Sequence, residues 1–210
     1  MKTMNDAAIK RLNRFRTTPN LLTLLRICLA PFLVAAVLEH RYALSLGLFV
    51  VAGLTDALDG LLARLLKQRT MLGEYLDPVA DKLLLSTLFL VLTYEGLVPA
   101  RVTALVFGRD LGILVVSAIL YAAAGRRDFS PSIFGKANTL VQVSTVAAVL
   151  LQKALSQHAL PQSAWVRPMA IFVTWALWAT MALTIISGLH YAWSATRKLA
   201  PQSAGGHEKK

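Results

Sequence analysis

Long, nearly uninterrupted apolar runs recur along this 210-residue chain and constrain its fold more than any other feature. A helix needs about 20 residues to cross roughly 30 Å of hydrocarbon. Runs of that order fall near residues 20–38, 42–66, 79–98, 102–124, 134–154 and 168–192. Short polar segments separate them: Glu39–Arg41, Lys67–Thr70, Glu95 with Pro99, Arg126–Ser130, and the stretch from Gln157 to Pro168. Strand alternation and hairpin signals are scarce, which argues against a transmembrane barrel. The hydrophobic share is 56%, above the roughly 45–50% of soluble domains, and lipid is the natural place for the excess. The expectation is an all-α integral membrane protein of about six transmembrane helices, its membrane domain spanning 19–198.

The formal charge of +11 could signal nucleic acid, but sorting the basic residues by connection explains it better. Lys2, Lys10, Arg11, Arg14 and Arg16 precede the first run, and Arg64, Lys67 and Arg69 follow the second. Arg126, Arg127 and Lys136 surround the fourth connection, and Arg197, Lys198, Lys209 and Lys210 lie in the tail. The opposite side holds Arg41, Arg101, Lys153 and Arg167. Cytoplasmic loops collect Lys and Arg, so both termini are expected in the cytoplasm of a bacterial-type inner membrane, with anionic lipids as partners. No nucleic-acid motif is visible. Residues 1–18 carry Ile9, Leu12 and Phe15 between basic residues, the pattern of a short interfacial helix. Residues 199–210 read as a disordered basic tail. Cys28 excludes an internal disulfide and is expected to be a small buried side chain. His40, His158, His190 and His207 have no ligand spacing, and of the tryptophans around the last run Trp165 and Trp193 suit interfacial anchors.

The acids are distributed very differently. Of eleven carboxylate side chains, Asp56, Asp59, Glu74, Asp77 and Asp81 fall within residues 56–81. A carboxylate near the bilayer centre costs about 2.5–3.5 kcal/mol on insertion scales, and the neighbouring Arg64 and Lys82 are too few to neutralise this set. Asp56 and Asp59 are three residues apart and Asp77 and Asp81 four apart, so each pair shares a helix face. Oxygen donors alone, without Cys or His, suit Mg²⁺ or Mn²⁺ rather than zinc, and that much charge suits two ions. Gly60 and Ala63 allow close approach to the backbone, and Arg64 offers a fork for a phosphate.

Together these residues read D56-x2-D59-G60-x2-A63-R64-x8-G73-x3-D77-x3-D81. This resembles the full signature of the CDP-alcohol phosphotransferase (CDP-alcohol phosphatidyltransferase) family. Eight fixed identities at average residue usage would coincide on the order of once in 10¹⁰ placements, so the pattern is specific. The resemblance implies that Asp56, Asp59 and Asp77 bind metal, and that Asp81 shares the metal centre and serves as general base. It implies that Arg64 holds the diphosphate, that Gly60 and Ala63 line the cytidine site, that Gly73 belongs to the substrate site, and that the protein is a homodimer. The implied reaction is metal-dependent transfer of a phosphatidyl group from CDP-diacylglycerol to an acceptor hydroxyl with release of CMP.

P19-N20-L21-L22-T23-L24-L25-R26 resembles the start of the glycerol-type branch, and G108-R109-D110 and G135-K136-A137-N138-T139-x2-Q142 match it loosely. Arg26, Arg109 and Lys136 are the candidates for acceptor or lipid phosphate, each weighed against an ordinary ion pair or loop cation. The charge of Arg26, placed inside the first run, should face a cavity or snorkel to the interface. Phosphatidylglycerophosphate synthases usually carry Arg-Glu and a second arginine eight residues on; here stand Arg109-Asp110 and Ser117. That departure favours phosphatidylglycerol as acceptor, as in CMP-forming cardiolipin synthases, with glycerol 3-phosphate as the alternative. Two other classes compete. A metal-ion transporter would also place carboxylates in membrane helices, but has no use for Gly60, Ala63 and Arg64 at these spacings. A catalytically dead relative would carry the acids as a stability burden.

Overall fold

The computed structural model describes residues 18–65, 71–124, 133–158 and 165–199; within them, the side chains of 18–24, 56, 59–65, 71–81, 117–124, 158, 195 and 197–199 lie outside the description. The described residues are all-helical. Six helices follow one another: α1 Thr18–Leu38, α2 Tyr42–Leu65, α3 Met71–Tyr94, α4 Ala100–Ala124, α5 Ile133–His158 and α6 Val166–Leu199. The expected N-terminal interfacial helix and C-terminal tail fall outside the described residues.

Two stretches are long and apolar enough to cross a membrane, Ile133–Gln157 and Val166–Ser194. Leu25–Leu38, Tyr42–Thr55 and Lys82–Tyr94 are shorter apolar stretches. Burial adds a second sign of a membrane protein. Large apolar side chains stand outside, among them Leu140 at 69%, Leu189 at 68% and Leu111 at 63% exposure, while Asn138, Gln142, Thr145, Thr180 and Thr184 are buried. Lipid is as apolar as leucine, so polar side chains turn inward to find partners and aliphatic ones can face outward. Cys28, contrary to expectation, is exposed, on a face of its helix away from the buried Leu33 and Val37.

The chain divides into two compact units. The first comprises residues 1–98 and 146–173, the second 99–145 and 174–210. In the first, α1 packs on α2 and α3, around Leu33, Val37, Phe49, Ala52, Leu88, Phe89 and Leu92, with Val146, Val149 and Leu150 of α5 also buried. Both α1 and α3 end in the same way. His40 N–H donates to Val37 O (2.9 Å) and Arg41 N–H to Ala36 O (2.8 Å); Gly96 N–H donates to Thr93 O (3.0 Å) and Leu97 N–H to Leu92 O (2.8 Å). These are Schellman caps, which require a left-handed residue just past the helix. Gly96 fills that place at φ 69°, and His40 fills the other at φ 56°, an unusual choice for a side chain with a Cβ. Polar contacts hold it there: His40 Nδ1 lies 3.0 Å from Tyr42 Oη and 3.2 Å from Glu95 Oε2, and Gln157 Nε2 donates to His40 O at 2.6 Å.

The second unit has a different interior. Val102 and Val106 of α4 are buried there, but most of the other buried groups are polar. Outside, Arg101 stacks over the Trp178 ring at 5.7 Å.

Candidate functional site

Helix geometry places the signature acids. α2 runs unbroken through Asp56 and Asp59 to Leu65, so these two residues lie about 60° apart around the axis and about 4.5 Å along it. α3 begins at Met71 and carries Asp77 and Asp81, about 40° and 6 Å apart. Gly60, Ala63 and Arg64 continue the last turns of α2. Gly73 lies in the first turn of α3 rather than in the connection before it, and that helix starts eight residues earlier than the apolar run because its first turns are polar. Thr55, one residue before Asp56, turns its hydroxyl back to Ala52 O at 2.8 Å, which keeps α2 locally satisfied up to the motif. The side chains of Asp56, Asp59, Gly60, Ala63, Arg64, Gly73, Asp77 and Asp81 lie outside the described residues. No cluster of three or more His, Cys, Asp or Glu side chains that could hold a metal occurs among the described ones. The donor set itself fits a hard divalent cation: four carboxylates, two on each of two consecutive helices, without nitrogen or sulfur ligands.

The second unit contains the polar groups whose geometry is visible. On α5, Asn138, Gln142 and Thr145 recur at helical spacing and are buried, as are Thr180, Thr184 and Ser187 on α6. Two antiparallel rows meet. Thr145 Oγ1 and Thr180 Oγ1 are 2.8 Å apart, and both reach the Ala176 carbonyl, at 3.2 and 2.9 Å. Thr184 Oγ1 donates to Asn138 Oδ1 at 3.0 Å. Further along, the Phe134 and His190 rings lie 4.9 Å apart. Arg109 of α4 joins the seam: its Nη2 donates to Ser187 Oγ at 2.8 Å, its Nη1 to Asp110 Oδ1 at 2.7 Å, and its Cγ lies against Gly188, 3.6 Å from where a Cβ would stand.

Several buried donors of this seam remain unused. Among the described residues, Arg109 Nε, Asn138 Nδ2 and Gln142 Nε2 have no hydrogen-bond partner, and neither has His190 Nδ1. A buried polar group left unmatched costs about 1–3 kcal/mol, so three such nitrogens in one seam are a notable feature of the unit.

The three candidate phosphate ligands differ in their local setting. Arg26 is 2% exposed, so it turns inward and does not snorkel. Arg109 is ion-paired with Asp110, their side chains 10% and 15% exposed. Lys136 is exposed on the second turn of α5. Ser117, which stands eight residues after Arg109, has its side chain outside the described residues. Thr180, Thr184 and Ser187 are not among the sequence-derived candidates; their i, i+4 and i+7 spacing marks one helix face but does not name its partners.

Comparison with known proteins supplies the context. Residues 16–186 match the CDP-alcohol phosphatidyltransferase family. A human protein named cardiolipin synthase (CMP-forming) is 38% identical over 154 residues, covering 64% of this chain and 50% of the human one. An Aquifex aeolicus CDP-diacylglycerol–glycerol-3-phosphate 3-phosphatidyltransferase is 39% identical over 140 residues, 63% of this chain and 75% of its own. The Bacillus subtilis protein of the same name is 31% identical over 188 residues, covering 82% and 92%. The chain spans about half the length of the human relative it matches.

Proposed function

This chain belongs to the CDP-alcohol phosphatidyltransferase family, and from that premise we propose that it transfers the phosphatidyl group of CDP-diacylglycerol to the hydroxyl of phosphatidylglycerol, releasing CMP. The observation that carries this reading is the eight-position signature, complete in identity and spacing, from Asp56 near the end of α2 to Asp81 in α3. The relatives' names support the reaction class and divide over the acceptor between cardiolipin synthesis and glycerol 3-phosphate. The Arg109–Asp110 pair and Ser117 favour the lipid acceptor, and glycerol 3-phosphate is the second reading.

In the proposed chemistry the acceptor hydroxyl oxygen bonds to the lipid-side phosphorus while the bond from that phosphorus to the CMP oxygen breaks, the two oxygens in line. Asp81 takes the hydroxyl proton. Arg64 holds the diphosphate by paired N–H donors. Gly60 and Ala63 leave room for the cytidine. The family is generally divalent-metal dependent, and Asp56, Asp59, Asp77 and Asp81 are the residues that would hold Mg²⁺ or Mn²⁺, two ions in this reading, which would offset charge on the diphosphate. Arg26, Arg109 and Lys136 are assigned to the acceptor, through its headgroup or its phosphate, or to the lipid phosphate. Positive-inside charge supports six spans with both termini and the site on the cytoplasmic side, and a homodimer completes the reading. The arginine at position 64 argues against a cation transporter, since it would sit among the ion's own ligands.

The test is CMP release by purified protein with CDP-diacylglycerol and Mg²⁺ or Mn²⁺, offering phosphatidylglycerol and glycerol 3-phosphate separately. Release with phosphatidylglycerol alone is the expected result. Release with glycerol 3-phosphate alone overturns the acceptor, and no release with either removes the glycerol branch.

A further inference from the structure

Buried donors without acceptors describe a ligand by its complement. In the second unit Asn138 is 0% and Gln142 4% exposed, and the outer amide nitrogen of each lacks a partner, as does Arg109 Nε. Asn138 cannot easily turn to satisfy itself, because its Oδ1 is already held by Thr184. Arg109 is fixed similarly, by Ser187 on one side and Asp110 on the other. These groups need oxygen acceptors.

Charge narrows the choice. Among the described residues, the inward-turned charges of this unit are Arg109 and Asp110, both partly buried, and they pair with each other at 2.7 Å. A phosphomonoester dianion would meet no net positive charge from that pair and would lose its hydration in the seam, a heavy penalty. Vicinal hydroxyls carry no charge, accept from amide and guanidinium N–H groups, and donate in return. We infer that Asn138 and Gln142, together with Arg109 held by its positioning residue Ser187, bind the terminal diol of a lipid-borne glycerol headgroup and so select phosphatidylglycerol over a free glycerol phosphate. The inference concerns the second unit alone and rests on the proposed function only for the identity of the acceptor.

A bound-state signature separates this role from simple packing. Gln142→Leu removes a buried donor that has no partner, so without lipid its unfolding midpoint in detergent should equal or exceed that of the unsubstituted protein. Phosphatidylglycerol, added without CDP-diacylglycerol or metal, should raise the midpoint of the unsubstituted protein more than phosphatidylcholine of the same acyl chains. That difference should vanish in Gln142→Leu and in Asn138→Leu. In turnover, both variants should raise the KM for phosphatidylglycerol about tenfold, equivalent to about 1.4 kcal/mol, with the KM for CDP-diacylglycerol unchanged. Ser187→Ala should raise the acceptor KM about threefold, and Ser187→Thr should restore it. Thr145→Val, in the same seam but between satisfied partners, should leave the acceptor KM unchanged.

Outcomes divide cleanly. Turnover with phosphatidylglycerol and an unchanged acceptor KM in both leucine variants overturns the seam and leaves the proposed function standing. Headgroup-dependent stabilisation lost in the variants, with no turnover in the unsubstituted protein, supports the seam and overturns the proposed function. A midpoint raised by glycerol 3-phosphate and not by phosphatidylglycerol overturns the diol assignment, as does an acceptor KM raised equally by Thr145→Val. Absence of both turnover and stabilisation overturns both.

Discussion

The first unit buries what a soluble protein would bury, and the second buries the opposite. Among described residues, the first hides Leu33, Val37, Leu88, Phe89 and Leu92, with Arg26 and Ser45 its polar exceptions; the second hides Asn138, Gln142, Thr145, Thr180, Thr184 and Ser187, with Val102 and Val106 its apolar ones. Yet the first unit carries the signature acids in sequence, while the second, polar inside, holds the partly buried Arg109–Asp110 ion pair. The difference teaches that polarity serves two purposes here. In the proposed reading, charge is concentrated where chemistry on a diphosphate would require it, and neutral hydrogen-bonding groups are arranged where a headgroup would be read by shape and donor pattern.

The comparison breaks first if charge in the acid-bearing segment is dispensable. Asp56→Asn or Asp81→Asn should lower CMP release by at least about 100-fold, the lower range for loss of a positioned acid–base group, while membrane insertion survives; substantial turnover in either purified variant would sink the assigned chemistry. Packing comes next. Leu88→Ala, at a fully buried position of the first unit, should cost about 2 kcal/mol or more, seen as a lowered unfolding midpoint in detergent; a shift no larger than for an exposed leucine such as Leu83 would deny the first unit its apolar core. Thr180→Val, which removes a satisfied hydroxyl from the second unit, should cost only about 0.6 kcal/mol, the mean for hydrogen bonds between membrane helices. A loss as large as that of Leu88→Ala would make the polar seam a stability element. The smallest effect is expected for Gln157→Ala, which removes an exposed bond to the His40 carbonyl and should cost less than about 0.5 kcal/mol, the low end for a net hydrogen bond.

Much of the helix layout is legible in the sequence, because apolar length and polar punctuation act locally. α1, α2, α4 and α5 begin and end within about four residues of the expected runs. α3 and α6 do not, for one reason: hydropathy marks the apolar part of a helix, whereas Met71–Pro78 and Trp193–Leu199 are helical and polar enough to lie beyond it. The acids are legible because four aspartates in an apolar chain are improbable and their spacing is chemical. The seam is not. Thr180, Thr184 and Ser187 are ordinary residues for a membrane helix, and only their pairing with Asn138, Thr145 and Arg109 gives them meaning. Long-range partners of that kind are not encoded in local periodicity. Arg109 and Asp110 are intermediate: the pair is legible as neighbours, but its anchoring by a residue 78 positions later is not.

The division of the chain runs through the middle of α5 and the first turns of α6, not between helices: residues 146–173 belong with 1–98, and 174 onward with 99–145. A ribosome therefore releases α1 to α3 long before Val146, Val149 and Leu150, buried members of the same unit, have been synthesised. The nascent chain must stand with its oldest unit incomplete until α5 is made. Biogenesis of this protein is thus a matter of timing, and helices that leave the insertion machinery late are the ones that finish what the early ones began.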